Sequence, residues 1–236
     1  MTEFNFSTLI RAEGIRKNYR TGKVITEALK GIDLNIRRGE YVGIMGKSGS
    51  GKTTLLNMLA GLDSLTSGSV LIGRTDIHGM NENERARWRG ENLGFIFQSF
   101  HLLPGLTLLD NVMLPLDFIG KYEEKKSRDA AMMLLEMVEL EAHVNKYPSE
   151  ISGGQQQRVA IARALISEPQ ILLADEPTGR LDAGTSEIIF NLFDQIFANG
   201  MTMIIVTHDN SLEKRFQRVI RLHDGLIVSD EKAGDS

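Results

Sequence analysis

Two short runs of residues carry the clearest chemistry in this chain. The first is Gly46-Lys47-Ser48-Gly49-Ser50-Gly51-Lys52-Thr53, and the second, about a hundred residues further on, is Ser152-Gly153-Gly154-Gln155. An octet of the form G-x-x-x-x-G-K-[ST] arises by chance in roughly one to two per cent of chains of this size. Its glycines let the backbone approach phosphate oxygens, so that successive N–H groups and the start of the following helix face an anion. Lys52 then reaches the β and γ phosphates, and Thr53 offers a hydroxyl to Mg2+, an ion that takes oxygen ligands at about 2.0–2.1 Å. Thr54 completes the set of residues expected at the nucleotide. An apolar run ending in Asp175-Glu176 follows both motifs. Together the three segments predict a chain that binds and hydrolyses ATP.

The carboxylates divide the work. Asp175 follows Ile171-Leu172-Leu173-Ala174 and is expected at the carboxyl end of a buried strand, where open α/β sheets place their ligand chemistry. From there it holds Mg2+ from the outer coordination sphere. Glu176, one residue on, faces elsewhere and acts on the attacking water as general base or positioning group. His208 follows another strand-like run, Met203 to Val206, and is read as a γ-phosphate contact; His78, His101, His143 and His223 are assigned no chemistry. Ser152 with Gln155 fits a capping box at the head of a helix, while two successive glycines disfavour a helix start unless something approaches the backbone closely. A phosphate at the positive end of that helix satisfies both readings.

These residues need a frame that brings strand ends together. Tyr41 to Met45 reads as a strand feeding the glycine loop, and Lys52 to Ala60 has the Leu55, Leu56, Leu59 spacing of a helix. Leu93 to Phe97 is a second strand, ending at Gln98. Ile171 to Ala174, Met203 to Val206 and Val219 to Leu222 are further strands separated by helical patterns, which argues for a largely parallel sheet. Ahead of them, Thr8 to Ala12 and Ile32 to Ile36 are short β-like stretches set off by turn residues Gly14, Gly22, Gly31 and Gly39, an antiparallel first layer. Pro104, Gly105 and Pro115 lead into a helical stretch, Lys125 to Leu140, expected to form an inserted lobe. Ser229 to Ser236 reads as a short, polar, mobile tail. The resulting expectation is one α/β domain, with residues 1–98 and 167–236 as core and β layer and 99–166 as a helical subdomain.

Composition narrows the partners. With 236 residues, 42% of them hydrophobic, the chain can fill a sizeable interior. A net charge of −4 gives no basic face for nucleic acid and no polybasic membrane anchor. The absence of cysteine suits a reducing compartment. Met1 to Leu9 lacks the basic start and apolar stretch of a signal peptide, so export is not expected. No apolar run approaches the ~18 residues that span a bilayer, so membrane contact is expected only through another protein.

With these motifs in place, the chain resembles the ATP-binding subunits of ABC transporters over nearly its whole length. The resemblance implies a P-loop NTPase (RecA-like) fold. It makes Tyr19 the aromatic that stacks on adenine, Gln98 the link between Mg2+ and the permease contact, and Ile151 to Gln155 the signature. It places Asp182 in a loop that communicates across a dimer. One ATP then lies between the phosphate loop of one copy and the signature of the other, so two copies pair head to tail. Two positions depart from the family pattern: Ile151 stands where leucine is usual, a near-neutral exchange, and Arg180 stands where asparagine or alanine is common, which bears on the coupling of the two sites.

The stretches Gly94 to Pro104, Asp110-Asn111-Val112 and Ala174 to Gly179 are similar to the subgroup of lipoprotein-releasing and macrolide-exporting ATPases. That implies an integral membrane permease with few helices and a large extracytoplasmic domain, docked on Phe100 to Leu109, and a peripheral location on the cytoplasmic face of the inner membrane. Export or extraction of a substrate is the expected outcome; the alternative is an ATPase that mechanically regulates an extracytoplasmic process such as cell-wall hydrolysis. Other ATPase classes fit less well. A DNA-repair ATPase needs a long coiled coil between the two motifs, and a translation factor of this type needs tandem nucleotide domains. A GTPase needs Asn-Lys-x-Asp, which Asn145-Lys146-Tyr147-Pro148 fails at its last position.

Overall fold

The computed structural model describes residues 8–232. The chain divides into two compact units, Met1–Arg85 with Met201–Ser236, and Ala86–Gly200.

The first unit opens with two long antiparallel strands, β1 (Thr8–Thr21) and β2 (Val24–Arg37). The short stretches expected at 8–12 and 32–36 are therefore parts of one hairpin of two 14-residue strands, and only Gly22 of the first three glycines marks its turn. Gly14 and Gly31 lie inside the strands, where register shifts between Ala12 and Arg16 absorb them as bulges. β1 also pairs with β4 (Ser67–Ile72), which pairs with β5 (Thr75–Asp76), giving the order β2-β1-β4-β5. Leu9, Ile10, Ile15, Leu29, Ile32 and Ile36 are buried from this layer.

Within the same unit, β3 (Tyr41–Met45) runs parallel to both β8 (Thr202–Thr207) and β9 (Arg218–His223). All five residues of β3 and all six of β8 are buried, as strands covered on both faces must be. The helix α1 (Lys52–Leu59) follows the glycine loop and buries Leu55, Leu56 and Leu59. β10 (Leu226–Lys232) pairs antiparallel with β9 through the two-residue turn Asp224-Gly225, both at positive φ. Residues 229–232, expected in a mobile tail, thus belong to a strand. An Asp-Gly turn suits the twist of a two-residue hairpin and extends the sheet despite the polar side chains. The part of the expected tail beyond 232, and Met1 to Ser7 of the expected signal-free start, lie outside the described residues.

Helix α2 (Glu82–Asn92) carries the chain into the second unit, where β6 (Leu93–Ile96) pairs parallel with β7 (Ile171–Asp175). Helices α3 (Leu108–Phe118), α4 (Glu124–Met137), α5 (Gly153–Leu165) and α6 (Ala183–Ala198) complete this unit. α3 corrects the expectation of irregular chain around Pro115, which sits inside the helix. Leu108, Leu109, Val112, Met113 and Leu116 form one buried stripe, and Thr107 caps the N-terminus by accepting from the Asp110 amide. Packing of that stripe outweighs the hydrogen bond that proline deletes.

Asn111, wholly buried, organises the loop before α3. Its Nδ2 donates to the carbonyls of Leu103 (3.0 Å), Leu106 (3.1 Å) and Thr107 (2.9 Å), and its Oδ1 accepts from the Leu103 amide (2.7 Å). Removing this hub leaves its part-buried backbone partners to water or to no partner, and a group that stays dry costs about 1–3 kcal/mol. Asn111→Ala is expected to destabilise the chain by about 2–3 kcal/mol, measured as a lowered denaturant midpoint, with faster amide exchange concentrated at residues 101–107. Uniform exchange across the unit would contradict this local role.

Among the described residues no helix is long and apolar enough to cross a membrane.

Candidate functional site

In the first unit the glycine loop leaves the buried end of β3 and is braced by the turn between β9 and β10. The Gly225 amide donates to the Ser50 carbonyl (3.0 Å), and the Lys30 amide donates to Gly225 in turn (2.9 Å). Gly51, at φ 102°, is the N-terminal boundary of α1, and no side chain caps that terminus. By contrast Thr107, Ser152 and Asp182 cap α3, α5 and α6. Lys52 is buried, and its Nζ donates to the carbonyls of Gly46 (2.8 Å) and Lys47 (3.0 Å), curling the loop around the ammonium. Ser50 Oγ is buried with no hydrogen-bond partner. A buried cation, an uncapped helix start and an orphaned hydroxyl are the features a polyphosphate requires. Lys47, Ser48 and Gly49 form the exposed rim of the loop and Thr53 and Thr54 the first turn of the helix.

The structure sets His208 beside this loop. Thr207 at the end of β8 is registered against Met45, so His208 and Gly46 leave adjacent strand ends side by side. Asp209, next in line, accepts from the amide (2.9 Å) and hydroxyl (2.7 Å) of Ser211, and these bonds hold its carboxyl below the usual carboxylate range. Tyr19 lies on β1, with its hydroxyl donating to Asp63 (3.0 Å).

The second unit gathers the remaining predicted residues. Asp175 is the last residue of β7, and Glu176 follows at φ 43°, a left-handed conformation rare outside glycine and asparagine. The Glu176 carbonyl accepts from the Gly179 amide (3.0 Å), closing a turn over Pro177 and Thr178. Gly179 is the meeting point: a Cβ there would stand 2.9 Å from Gln98 Nε2 and 3.4 Å from Glu176 Oε2, so the amide and the carboxylate flank the same backbone. Gln98 itself comes two residues after β6, from a turn rather than from the strand end.

Ser152 to Gln155 start α5 as expected. Ser152 Oγ accepts from the Gln155 amide (3.3 Å) and Gln155 Oε1 from the Ser152 amide (2.9 Å), a complete capping box. Of the two glycines, Gly153 has room for a side chain, whereas a Cβ on Gly154 would sit 2.3 Å from Thr185 Cγ2 in α6. A side chain at 154 would thus have to displace the Thr185 methyl group within the unit. Asp182 caps α6, accepting from the Thr185 amide (2.9 Å) and hydroxyl (2.6 Å), which lowers its pKa, and Arg180 is exposed.

Sequence reasoning passed over Arg163 in the last turns of α5. Its Nη1 donates to the carbonyl of His101 (2.6 Å) and Nη2 to that of Phe100 (2.7 Å), two residues both at positive φ. Burial lowers the pKa of this guanidinium. It ties α5 to the strained loop that follows Gln98. A cation inside the apolar register of α5 was the available sign. Leu108 and Leu109 of the expected docking stretch are core residues, while Leu103 is 44% exposed.

Similarity to known proteins reaches across nearly the whole chain. The family described as ABC transporter matches residues 29–179. The lipoprotein-releasing system ATP-binding protein LolD 1 of Chlorobium chlorochromatii is 44% identical over 228 residues, 96% of this chain and 93% of its own length. A macrolide export ATP-binding/permease protein MacB of Syntrophobacter fumaroxidans is 44% identical over 227 residues, but this chain spans only 32% of its length. Among solved structures, the dimeric ABC transporter cassette MJ0796 of Methanocaldococcus jannaschii superposes with a TM-score of 0.88 at 44% identity, covering 95% of this chain and 98% of that one. A post-hydrolysis dimer of the same cassette bound to ADP and Pi gives 0.88 at 43% identity.

Proposed function

We propose that this chain, which belongs to the ABC transporter family, hydrolyses ATP as the nucleotide-binding subunit of a membrane transporter and drives a permease. The observation that carries the reading is the braced glycine loop with buried Lys52 and the unpartnered Ser50 hydroxyl. Gly46 to Thr54 cradle the phosphates, Lys52 balances their charge, and Tyr19 stacks on the base. Thr53, Gln98 and Asp175 offer a hydroxyl, an amide oxygen and a carboxylate, the hard donors that suit Mg2+. When bound, that ion neutralises charge on the phosphate oxygens. Glu176 accepts a proton from the attacking water or orients it, and His208 contacts the γ-phosphate.

Two copies pair head to tail, each presenting Ser152 to Gln155 to the nucleotide of the other. The dimeric solved relatives support this pairing. The relatives named for lipoprotein release and for macrolide export, the latter as an ATP-binding/permease protein, support a membrane permease as partner; a permease of few helices with a large extracytoplasmic domain, and a place on the cytoplasmic face of the cell membrane, extend that reading from the resemblance of Gly94 to Pro104 and Ala174 to Gly179.

Because the chain has no cysteine, a Leu103→Cys variant carries a single thiol at an exposed point of the loop before α3. Crosslinking in native membranes followed by mass spectrometry is expected to capture an integral membrane protein of that architecture. Capture of soluble proteins alone, with ATPase activity intact, would overturn the permease assignment.

A further inference from the structure

Residues i and i+2 of a strand share a face, and on β1 this places Lys17 beside Tyr19. Lys17 is a lysine buried to 7% exposure, an environment that demands partners for its charge. Its Nζ donates to Asp63 Oδ1 (2.8 Å) and to the Ser64 carbonyl (2.6 Å), and lies over the Tyr19 ring 4.9 Å from its centroid. The other oxygen of the same carboxylate, Asp63 Oδ2, accepts from the Tyr19 hydroxyl (3.0 Å). The Thr54 side chain, in the first turn of α1, is the phenol's second partner. One carboxylate thus holds both the ammonium beneath the ring and the hydroxyl at its edge. The turn that carries Asp63 is itself fastened to β1: the Asn18 amide donates to Thr66 Oγ1 (2.9 Å) and the Thr66 amide to the Arg16 carbonyl (2.9 Å). Tyr19 nevertheless remains 39% exposed.

We propose that Lys17 and Asp63 are positioning residues for base recognition: they lock the Tyr19 ring and put a cation on one of its faces, so that its exposed side is a fixed, polarised platform for a purine. The proposal rests on the reading of Tyr19 as the base-stacking residue. A ring held at its hydroxyl, its edge and one face loses little freedom when a base stacks on it, which is where preorganisation raises affinity. The ammonium draws π density toward its own side, favouring contact between the opposite side and an electron-rich purine. Burial, with Asp63 adding to it, raises the pKa of the Tyr19 hydroxyl and keeps it a neutral donor. Asp63 stays ionised because the bonds from Lys17, the Ser64 amide and Tyr19 outweigh the cost of its partial burial.

The test separates base from phosphate. Dissociation constants of the chain are measured by calorimetry for Mg-ADP and for Mg-pyrophosphate, neither of which turns over. Lys17→Met and Asp63→Asn are expected to weaken ADP about fivefold to tenfold and to leave pyrophosphate within twofold, with Lys17→Arg restoring most of the ADP affinity. ADP binding unchanged in Lys17→Met, or ADP and pyrophosphate weakened alike, overturns the proposal. Tyr19→Ala distinguishes the failures. If it weakens ADP alone while Lys17→Met does nothing, only the positioning role falls; if it leaves ADP untouched, the stacking role falls and the positioning role with it. Should Lys17→Met fail to fold, Asp63→Asn, which is isosteric and partly exposed, carries the same comparison.

Discussion

In a Glu176→Gln variant, steady-state ATP hydrolysis is expected to fall by about 10²–10⁴-fold, while ATP binding survives and an ATP-bound pair of chains accumulates. The exchange preserves the size of the side chain and a capacity to hydrogen-bond, and removes the negative charge and with it the ability to accept a proton. The site around it is built to hold one position. Glu176 sits at φ 43° after the buried strand β7, its carbonyl is fixed by the Gly179 amide, and its Oε2 lies against Gly179 beside the Gln98 amide. A residue held in a left-handed conformation by its surroundings represents strain concentrated where chemistry is expected. Phosphate release gives the rate, and light scattering with and without ATP gives the mass. Turnover at the parent rate would remove Glu176 from the mechanism. A low rate without a doubled mass would keep its chemistry but refute the head-to-tail pair.

Why these residues were legible in the sequence, and others not, follows from the range over which their constraints act. The glycine loop, the capping box and the carboxylates at the end of β7 are set by contiguous residues, so the boundaries of β3 and the start of α1 follow from Tyr41 to Met45 and Lys52 alone. The long β1–β2 hairpin was broken into short strands because Gly14 and Gly31 read locally as turns. The bulges that absorb them depend on the partner strand. Pro115 concealed α3 for the same reason, since only burial of the Leu108 to Leu116 stripe shows that the helix continues through it. The hub role of Asn111, which the sequence marks only within Asp110-Asn111-Val112, and the roles of Arg163 and the Lys17–Asp63 pair are invisible in the sequence because their partners lie 4 to 63 positions away and are mostly backbone carbonyls, which carry no side-chain signature. Gly154 illustrates the converse. The sequence reads it as room for phosphate, and the structure sets beside that expectation a close contact with Thr185 that the sequence does not reveal.

Gly46→Ala is expected to weaken ATP binding by about 10²-fold or more, and Gly49→Ala by only about tenfold, a contrast that isolates what each glycine does. A Cβ on Gly46 would stand 2.3 Å from the carbonyl oxygen of Leu222 and 2.8 Å from Ser50 Oγ. Leu222 belongs to β9, which is registered directly against β3, and its oxygen cannot rotate away as the tip of a side chain could. The extra carbon must therefore lift the start of the loop off the sheet. That displaces the Gly46 carbonyl to which Lys52 Nζ is anchored, and the cation on which phosphate binding depends moves with it. A loss of about 3 kcal/mol or more in nucleotide binding corresponds to that hundredfold change. At Gly49, by contrast, a Cβ meets nothing within 4 Å; the residue is at φ 78°, so the variant carries only the cost of a left-handed conformation, about 1–2 kcal/mol, with no displaced backbone. Affinities measured by calorimetry with Mg-ADP, beside thermal unfolding of each variant, decide the matter. Equal losses at the two positions would mean that backbone strain alone, and not the seating of Gly46 against β9 and the anchorage of Lys52 on its carbonyl, governs the loop.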